Sequence, residues 1–313
     1  MTVKTSVLCS VCNSENHSFY EETKALMHKP NDERYRFHRC NDCHTVFLTN
    51  PVAESRLEDY YTEHYLPYRG SAPWGRFSSF VDGSQARLDR RRVDVVARTA
   101  KTISAPINLL DVGCGNPSFL LAVKQTLNAH CTGVDFSDKG WADEAYRDLN
   151  LIQTPFESFE TEQRFDVITL WHYLEHDYNL SKTADQLYNL LKPGGKLVVE
   201  VPDYQSASAR LQKANWQGWH SPRHMTLFSK KGFQILFPQS KWTIRKRLRY
   251  GTLDAFTLWW LGVMEKKGVN WTGSMEDEFW PLVGLKVATF PLFLFERLVP
   301  MGVQLLVIEK TVD

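Results

Sequence analysis

"LLDVGCGNPSFL", Leu109–Leu120, decides how the rest of the chain is read. Leu109, Leu110 and Val112 around Asp111 look like the end of a buried strand. Gly113 and Gly115 then permit a sharp turn in which bare backbone can approach a ligand. Pro117 suits the first turn of a following helix, where its missing N–H costs nothing and its φ is already helical. That helix is predicted over "PSFLLAVKQTLN". A dinucleotide fingerprint would put glycine at position 118, where Ser118 stands, which weakens an NAD reading. Twenty residues after Gly115 comes Asp135, closing the strand "HCTGVDF". A carboxylate there can accept both hydroxyls of an adenosine ribose.

Outward from this stretch, strands alternate with helices. "QARLDRRRVDVVARTAK" (85–101) carries apolar positions at helical spacing before the strand "INLLDV", its arginines reading as a solvated face. After "HCTGVDF" a helix is expected over "DKGWADEAYRDL", then a short strand "LNLIQ" and the buried strand "RFDVITLW". "SKTADQLYNLLKPGG" reads as a helix closed by glycine, and "KLVVEV", "KWTIRKRLRY" and "VQLLVIEK" as the last three strands. The pattern predicts an α/β fold, a doubly wound and mostly parallel seven-stranded sheet with its ligand at the carboxyl ends of the strands.

Four of the six cysteines arrive in pairs, Cys9 and Cys12 in "CSVC", Cys40 and Cys43 in "CNDC". Two such knuckles supply four thiolates for a closed tetrahedral zinc shell, so one structural zinc is expected in a small N-terminal ribbon. Asn13 and His44 follow the pairs, residues that tolerate the positive φ of tight knuckles. Six Lys/Arg against six Asp/Glu in residues 1–50 give the ribbon no phosphate-tracking surface. The whole chain, 313 residues with a formal charge of +1, has no global pull towards nucleic acid either. Its 43% hydrophobic content is enough for a sizeable core. "MTVKTSVLCS" lacks the apolar run of a signal peptide, and Lys286, Glu296, Arg297 and three prolines interrupt the window "PLVGLKVATFPLFLFERLVP". A cytoplasmic protein is expected, its cysteines reduced or metal-bound. The expected division is 1–50 ribbon, 51–105 aromatic connector and helix, and 106–313 main domain, with an apolar helical insertion at about 251–300 before the last strand.

Together "LLDVGCGNPSFL", "TGVDFS", "FDVITLWHYLEH" and "LKPGGKLVVEVPD" resemble successive motifs of class I S-adenosylmethionine-dependent methyltransferases, over Ile107 to about Phe228. "CSVC…HRCNDCHTVFLTNP" and "NWQGWHSPRHMTLFS" are similar to the branch that carries an N-terminal zinc ribbon. Pro117 departs from the family's third glycine. The resemblance implies a Rossmann-like methyltransferase fold in which Asp111, Gly113 and Gly115 shape the pocket for the methionine part of the cofactor. It implies Asp135 at the ribose, Phe136 beside the adenine, Phe156 and Glu157 near the adenine edge, and Trp171 with His172 where the methyl is presented. Phe156 and Trp171 can equally be core residues.

Transfer from a sulfonium is an in-line displacement that alignment alone accelerates; a hydroxyl acceptor also needs a group to take its proton. The candidate bases are His172 in "WHYLEH" and His220 and His224 in "WHSPRH", with His220 preferred. Glu175 and His176 read as a helix cap or a mutual pair at least as readily as functional groups. The expected function is methylation, as O-methylation, of a small-molecule, glycan or lipid-like acceptor. The apolar insertion is a lid or dimer surface, or else an acceptor pocket or a shallow contact with the inner face of a membrane. The alternatives are an RNA or other macromolecule methyltransferase using the ribbon for recognition, and a non-catalytic cofactor-binding partner subunit. The residues name neither the acceptor atom nor the oligomeric state.

Overall fold

The computed structural model describes residues 7–28, 32–62 and 65–311. Strands β1 (His17–Thr23), β2 (Tyr35–Cys40) and β3 (Val46–Leu48) form the N-terminal sheet, and a connector with the short helix α1 (Leu66–Arg69) leads to α2 (Ser78–Thr99). The main domain then runs β4 (Ile107–Val112), α3 (Ser118–Leu127), β5 (Ala129–Asp135), β6 (Asn150–Gln153), β7 (Phe165–Trp171), α4 (Leu180–Leu190) and β8 (Leu191–Pro202). It continues through α5 (Ala207–Gln212), β9 (Thr226–Leu227), α6 (Lys230–Leu236), β10 (Trp242–Leu248), α7 (Ala255–Lys267), α8 (Phe279–Phe293) and β11 (Val303–Lys310).

The large sheet has the order β10-β11-β8-β7-β4-β5-β6. β8, β7, β4, β5 and β6 run parallel, and only β11 and β10 are antiparallel to their neighbours. This is the expected doubly wound seven-stranded sheet. From β4 the chain steps outward through β5 and β6, then returns to lay β7 and β8 on β4's other side. The strand order therefore reverses between β4 and β7, and a crevice opens at their carboxyl ends. Side-chain alternation fills both faces. Leu110, Ile168 and Val199 pack with Leu187 of α4 and Phe233 of α6, while Leu109, Val167 and Val198 pack with Val96 of α2 and Phe119 of α3. All seven residues of β7 are buried, as a central strand covered on both sides requires.

Two helix expectations are corrected. "DKGWADEAYRDL" holds a single 3-10 turn at Glu144–Tyr146, started by Asp143, whose carboxylate accepts the Ala145 N–H. Between Ala142 and Asp148 only Tyr146 is buried, so no apolar stripe exists to hold a helix against the sheet. The segment instead folds over the glycine loop: the Trp141 indole N–H donates to the Gly115 carbonyl at 2.9 Å, and the Tyr146 hydroxyl to the Asn116 side chain at 2.8 Å. α4, for its part, is not closed by the glycine pair. It ends at Leu190, and Leu191 already belongs to β8, because the residue before Pro193 is driven out of the helical region.

The ribbon is sewn to the main domain. β9, which follows the "SPRH" segment, pairs antiparallel with β3 through Val46↔Leu227 and Phe47↔Thr226, making one four-stranded sheet. The Tyr204 hydroxyl donates to the His44 carbonyl and the Ser229 hydroxyl to the Cys43 carbonyl, both at 2.5 Å. Trp219 packs on Phe37 with ring centres 4.8 Å apart. The insertion α7–α8 covers the connector, with Trp260 against Trp74 and Phe279 stacked on Phe77 at 3.8 Å. Among the described residues no helix is long and apolar enough to cross a membrane.

Candidate active site

The glycine loop leaves β4 with its turn held by two N–H groups, those of Gly113 and Cys114, which donate to the Val134 carbonyl at 2.8 and 3.2 Å. Gly113 (φ +69°) has no room for a side chain: a Cβ there would lie 2.5 Å from the Tyr173 ring. Gly115 (φ +49°) has open space where a Cβ would stand. The Gly115 N–H donates to Asp135 Oδ2 at 2.8 Å and the Ser137 N–H to Oδ1 at 3.0 Å. The acid at the end of β5 thus faces the loop after β4. Burial pushes the Asp135 carboxyl up, opposed by these backbone N–H groups.

The remaining expected cofactor residues divide. Phe136 is 41% exposed beside the loop, with the Tyr61 ring 5.6 Å away. Glu157 is exposed. Asp111 is buried beneath the loop, where the Thr169 hydroxyl donates to it at 2.6 Å. Burial raises its carboxyl to about 7 against that hydrogen bond and the attraction of Arg92. Phe156 and Trp171 are both core: Phe156 packs with Phe159 and Tyr173, and Trp171 meets Phe119 edge-on beneath the Arg92 guanidinium.

All three candidate histidines come together. His172 leaves β7 with φ +57°, a turn that swings its ring between two fully buried carboxylates, Glu175 Oε1 and Glu200 Oε1, each at 3.2 Å. Burial disfavours the charged ring, but the hydrogen bonds and charges of Glu175 and Glu200 outweigh it and raise the pKa to about 9. His224 is tied through Nδ1 to the Gly218 carbonyl at 2.8 Å, and the His176 ring stands perpendicular to it at 4.5 Å. His176, held down to about 4 by burial, meets the Tyr61 hydroxyl through Nδ1 at 3.2 Å. His220 (φ +37°) stacks on His224 at 5.0 Å and faces the Tyr65 ring edge-on. Its buried Nε2 finds no hydrogen-bond partner among the described residues, and burial followed by the charge of Arg223 lowers its pKa well below the usual histidine range.

Several participants escaped the sequence reading. Tyr61 and Tyr65 lie in the connector, where "YYTEHYLPY" signals aromatic content but no position. Arg223 fixes them: its guanidinium, fully buried, lies 4.9 Å from the Tyr65 ring centre and donates to the backbone carbonyls of Tyr60 and Leu26. Glu200 lies near the end of β8, and its buried charge was hidden by the apolar run around it. Glu200 also accepts the Thr252 N–H and hydroxyl.

At the ribbon, Cys9 Sγ lies 3.5 Å from Cys43 Sγ and Cys12 Sγ 3.5 Å from Cys40 Sγ, and the four sulfurs fall within 4.8 Å of one another. Asn13 (φ +57°) and His44 (φ +65°) take the left-handed conformation expected of them. This is the donor set and clustering that a tetrahedral zinc requires.

A family model for a methyltransferase domain matches residues 84–245, just over half of the chain. The chain belongs to this methyltransferase family. Curated relatives include the ubiquinone biosynthesis O-methyltransferase of Nitrobacter winogradskyi, 31% identical over 117 residues (36% of this chain, 44% of the relative), and that of Shewanella pealeana, 31% identical over 116 residues (34% and 48%). The chain spans less than half the length of these relatives. Among solved structures, a Galdieria sulphuraria protein named for sarcosine dimethylglycine methyltransferase activity aligns over 74% of this chain and 88% of its own. Its TM-score is 0.50 at 13% identity, a likeness of fold alone. The methyltransferase family carries S-adenosylmethionine as methyl donor, and the residues fit it: open space on the Cβ side of Gly115, an acid facing it from β5, and the partly exposed Phe136 ring beside both.

Proposed function

We propose that this methyltransferase transfers the methyl group of S-adenosylmethionine to a hydroxyl of a small-molecule, glycan or lipid-like acceptor. The observation that carries the proposal is His220, a half-buried imidazole held neutral, whose buried Nε2 finds no partner among the described residues, walled by Tyr65 and His224 on the segment after β8. A buried polar atom without a partner is costly unless something arrives to satisfy it, and an acceptor hydroxyl would do so. Gly113, Gly115, Asp135 and Phe136 would bind the cofactor, which supplies an electrophilic methyl on a sulfonium. His220 would take the acceptor's proton as the new C–O bond forms. His172 already holds a proton at neutral pH between two carboxylates, so in this proposal it positions Glu175 and Glu200 rather than acting as base. His224, fixed by the Gly218 carbonyl, orients its neighbour. The O-methyltransferase names of the curated relatives support a hydroxyl acceptor. The cysteine cluster would hold one structural zinc.

The test uses methyl-labelled S-adenosylmethionine with a panel of phenolic, sugar and lipid-linked hydroxyl acceptors, and wild-type enzyme beside His220→Ala. A lost general base typically lowers the rate about 10²–10⁴-fold, so His220→Ala should lose turnover by that order while cofactor affinity is unchanged. Label appearing only on nitrogen or carbon, or full-speed turnover by His220→Ala, would overturn the proposal.

A further inference from the structure

The methyl-transfer reading gives Glu175 no chemical task, although it is as fully buried as Glu200 and Arg223. Glu175 and His176 sit in the 3-10 turn after β7, and His224 comes from the segment after β8. The Met225 N–H donates to the Glu175 carbonyl at 2.7 Å, so the backbones that carry the three side chains are clamped together. Each offers one donor atom, and the three atoms fall within 4.8 Å of one another.

The hydrogen bonding of Glu175 and His224 is incomplete. Glu175 is fully buried; its Oε1 meets His172, but Oε2 has no partner among the described residues. His224 Nδ1 faces the Gly218 carbonyl at 2.8 Å, which fixes the proton on that nitrogen and leaves a lone pair on Nε2. That Nε2 points at Glu175 Oε1 across 3.9 Å. A lone pair facing a buried carboxylate is unfavourable with nothing between them, and a cation between them converts the arrangement into coordination. The surroundings match what metal ligands use elsewhere: the carbonyl of Gly218 sets the tautomer of His224, and His172 orients the carboxylate. Two imidazoles and one carboxylate suit zinc and the neighbouring divalent transition metals rather than magnesium or calcium, which favour oxygen donors throughout.

We propose that Glu175, His176 and His224 bind one divalent transition-metal ion, separate from the four-cysteine site, with coordination positions left open for the acceptor's oxygen. Three protein ligands leave such positions, and an ion there lowers the pKa of a bound hydroxyl. Tyr61 links the site to the cofactor side, since it contacts both His176 and Phe136. The ion's role towards the acceptor rests on the O-methylation reading; its binding does not.

The experiment titrates Co²⁺ into full-length protein whose cysteine site is already filled with zinc. Absorption separates the two sites, because cobalt among thiolates gives an intense near-ultraviolet charge-transfer band and cobalt on nitrogen and oxygen ligands gives only weak visible bands. One Co²⁺ per chain should bind with the weak visible bands alone, displaceable by Zn²⁺. Glu175→Gln, His176→Ala and His224→Ala should each lower that affinity tenfold or more while the cysteine-bound zinc stays in place. Circular dichroism identifies any variant that fails to fold, and the remaining ones decide. Absence of the visible bands, or undiminished affinity in the folded variants, overturns the site. Cobalt binding with no methylated hydroxyl in any acceptor would leave the site standing and remove the O-methylation reading instead.

Discussion

Asp111 shows how one residue can look functional in a motif and act through burial. It lies in the strand just before the glycine turn, yet its carboxylate points into the sheet, accepts the Thr169 hydroxyl at 2.6 Å and is 3% exposed. Burial, the largest influence, raises its pKa to about 7, against about 3.9 in an unfolded chain. Between those values the folded protein holds the proton more tightly than the unfolded one. Its contribution therefore favours the fold most at acid pH and is lost as pH rises from about 4 to about 7. Urea unfolding at pH 5 and pH 8 checks this: Asp111→Asn should flatten the fall in stability between the two, and an unchanged difference would mean the carboxyl is ionised throughout. Asp135 is the contrasting residue, since its oxygens turn towards the Gly115 and Ser137 N–H groups at the crevice. Sequence separated these two acids only by spacing; burial direction separates them in space.

Among the elements, strands were the most legible because β4, β5, β7 and β8 are covered on both faces and, β5 apart, read as largely apolar runs. The loops were not. The expected helix at 138–149 fails because Trp141 and Tyr146 spend their polar atoms on the glycine loop, a tertiary contact that no local pattern encodes. The histidines were legible as two clusters, but Tyr61, Tyr65 and Glu200 were not, since each depends on a contact with a distant segment: Tyr65 meets His220, Tyr61 meets His176, and Glu200 meets His172. The insertion illustrates both sides of this. α7 buries Trp260 against Trp74, whereas α8 turns Trp280, Val287, Phe290 and Leu292 outward. Trp260→Ala should cost about 3–5 kcal/mol of stability, as large core truncations do. Trp280→Ala, 64% exposed, should stay within about 0.5 kcal/mol. Thermal or denaturant unfolding of the two variants measures the difference, and equal losses would contradict the inward-outward assignment of the two helices.

At the scale of the whole molecule, the ribbon and the His220–His224 segment form one continuous structure. β3 pairs with β9, two residues after His224, and Thr23 and Ser221 share a 2.5 Å hydrogen bond beside His220. The glycine loop and Asp135 lie on the other strands and touch none of these contacts. Zinc bound to the four cysteines would contribute roughly 10–16 kcal/mol of folding free energy to the ribbon. Removing it with a chelator, or disabling the site by Cys40→Ser, should loosen the His220–His224 segment. Turnover should then fall and the apparent acceptor requirement rise, with cofactor affinity nearly unchanged. A ribbon that could be stripped of zinc with no effect on turnover would be an independent appendage. The claim on which the rest depends is that the loop after β4 and the acid at the end of β5 hold the methyl donor. Calorimetric titration of S-adenosylmethionine into wild-type and Asp135→Ala protein tests it most directly. One molecule should bind per chain, weakened about ten- to a hundredfold in the variant, the loss expected for charge-assisted hydrogen bonds of about 1.5–3 kcal/mol. Undiminished binding in Asp135→Ala, or binding of NAD in preference to S-adenosylmethionine, would contradict it.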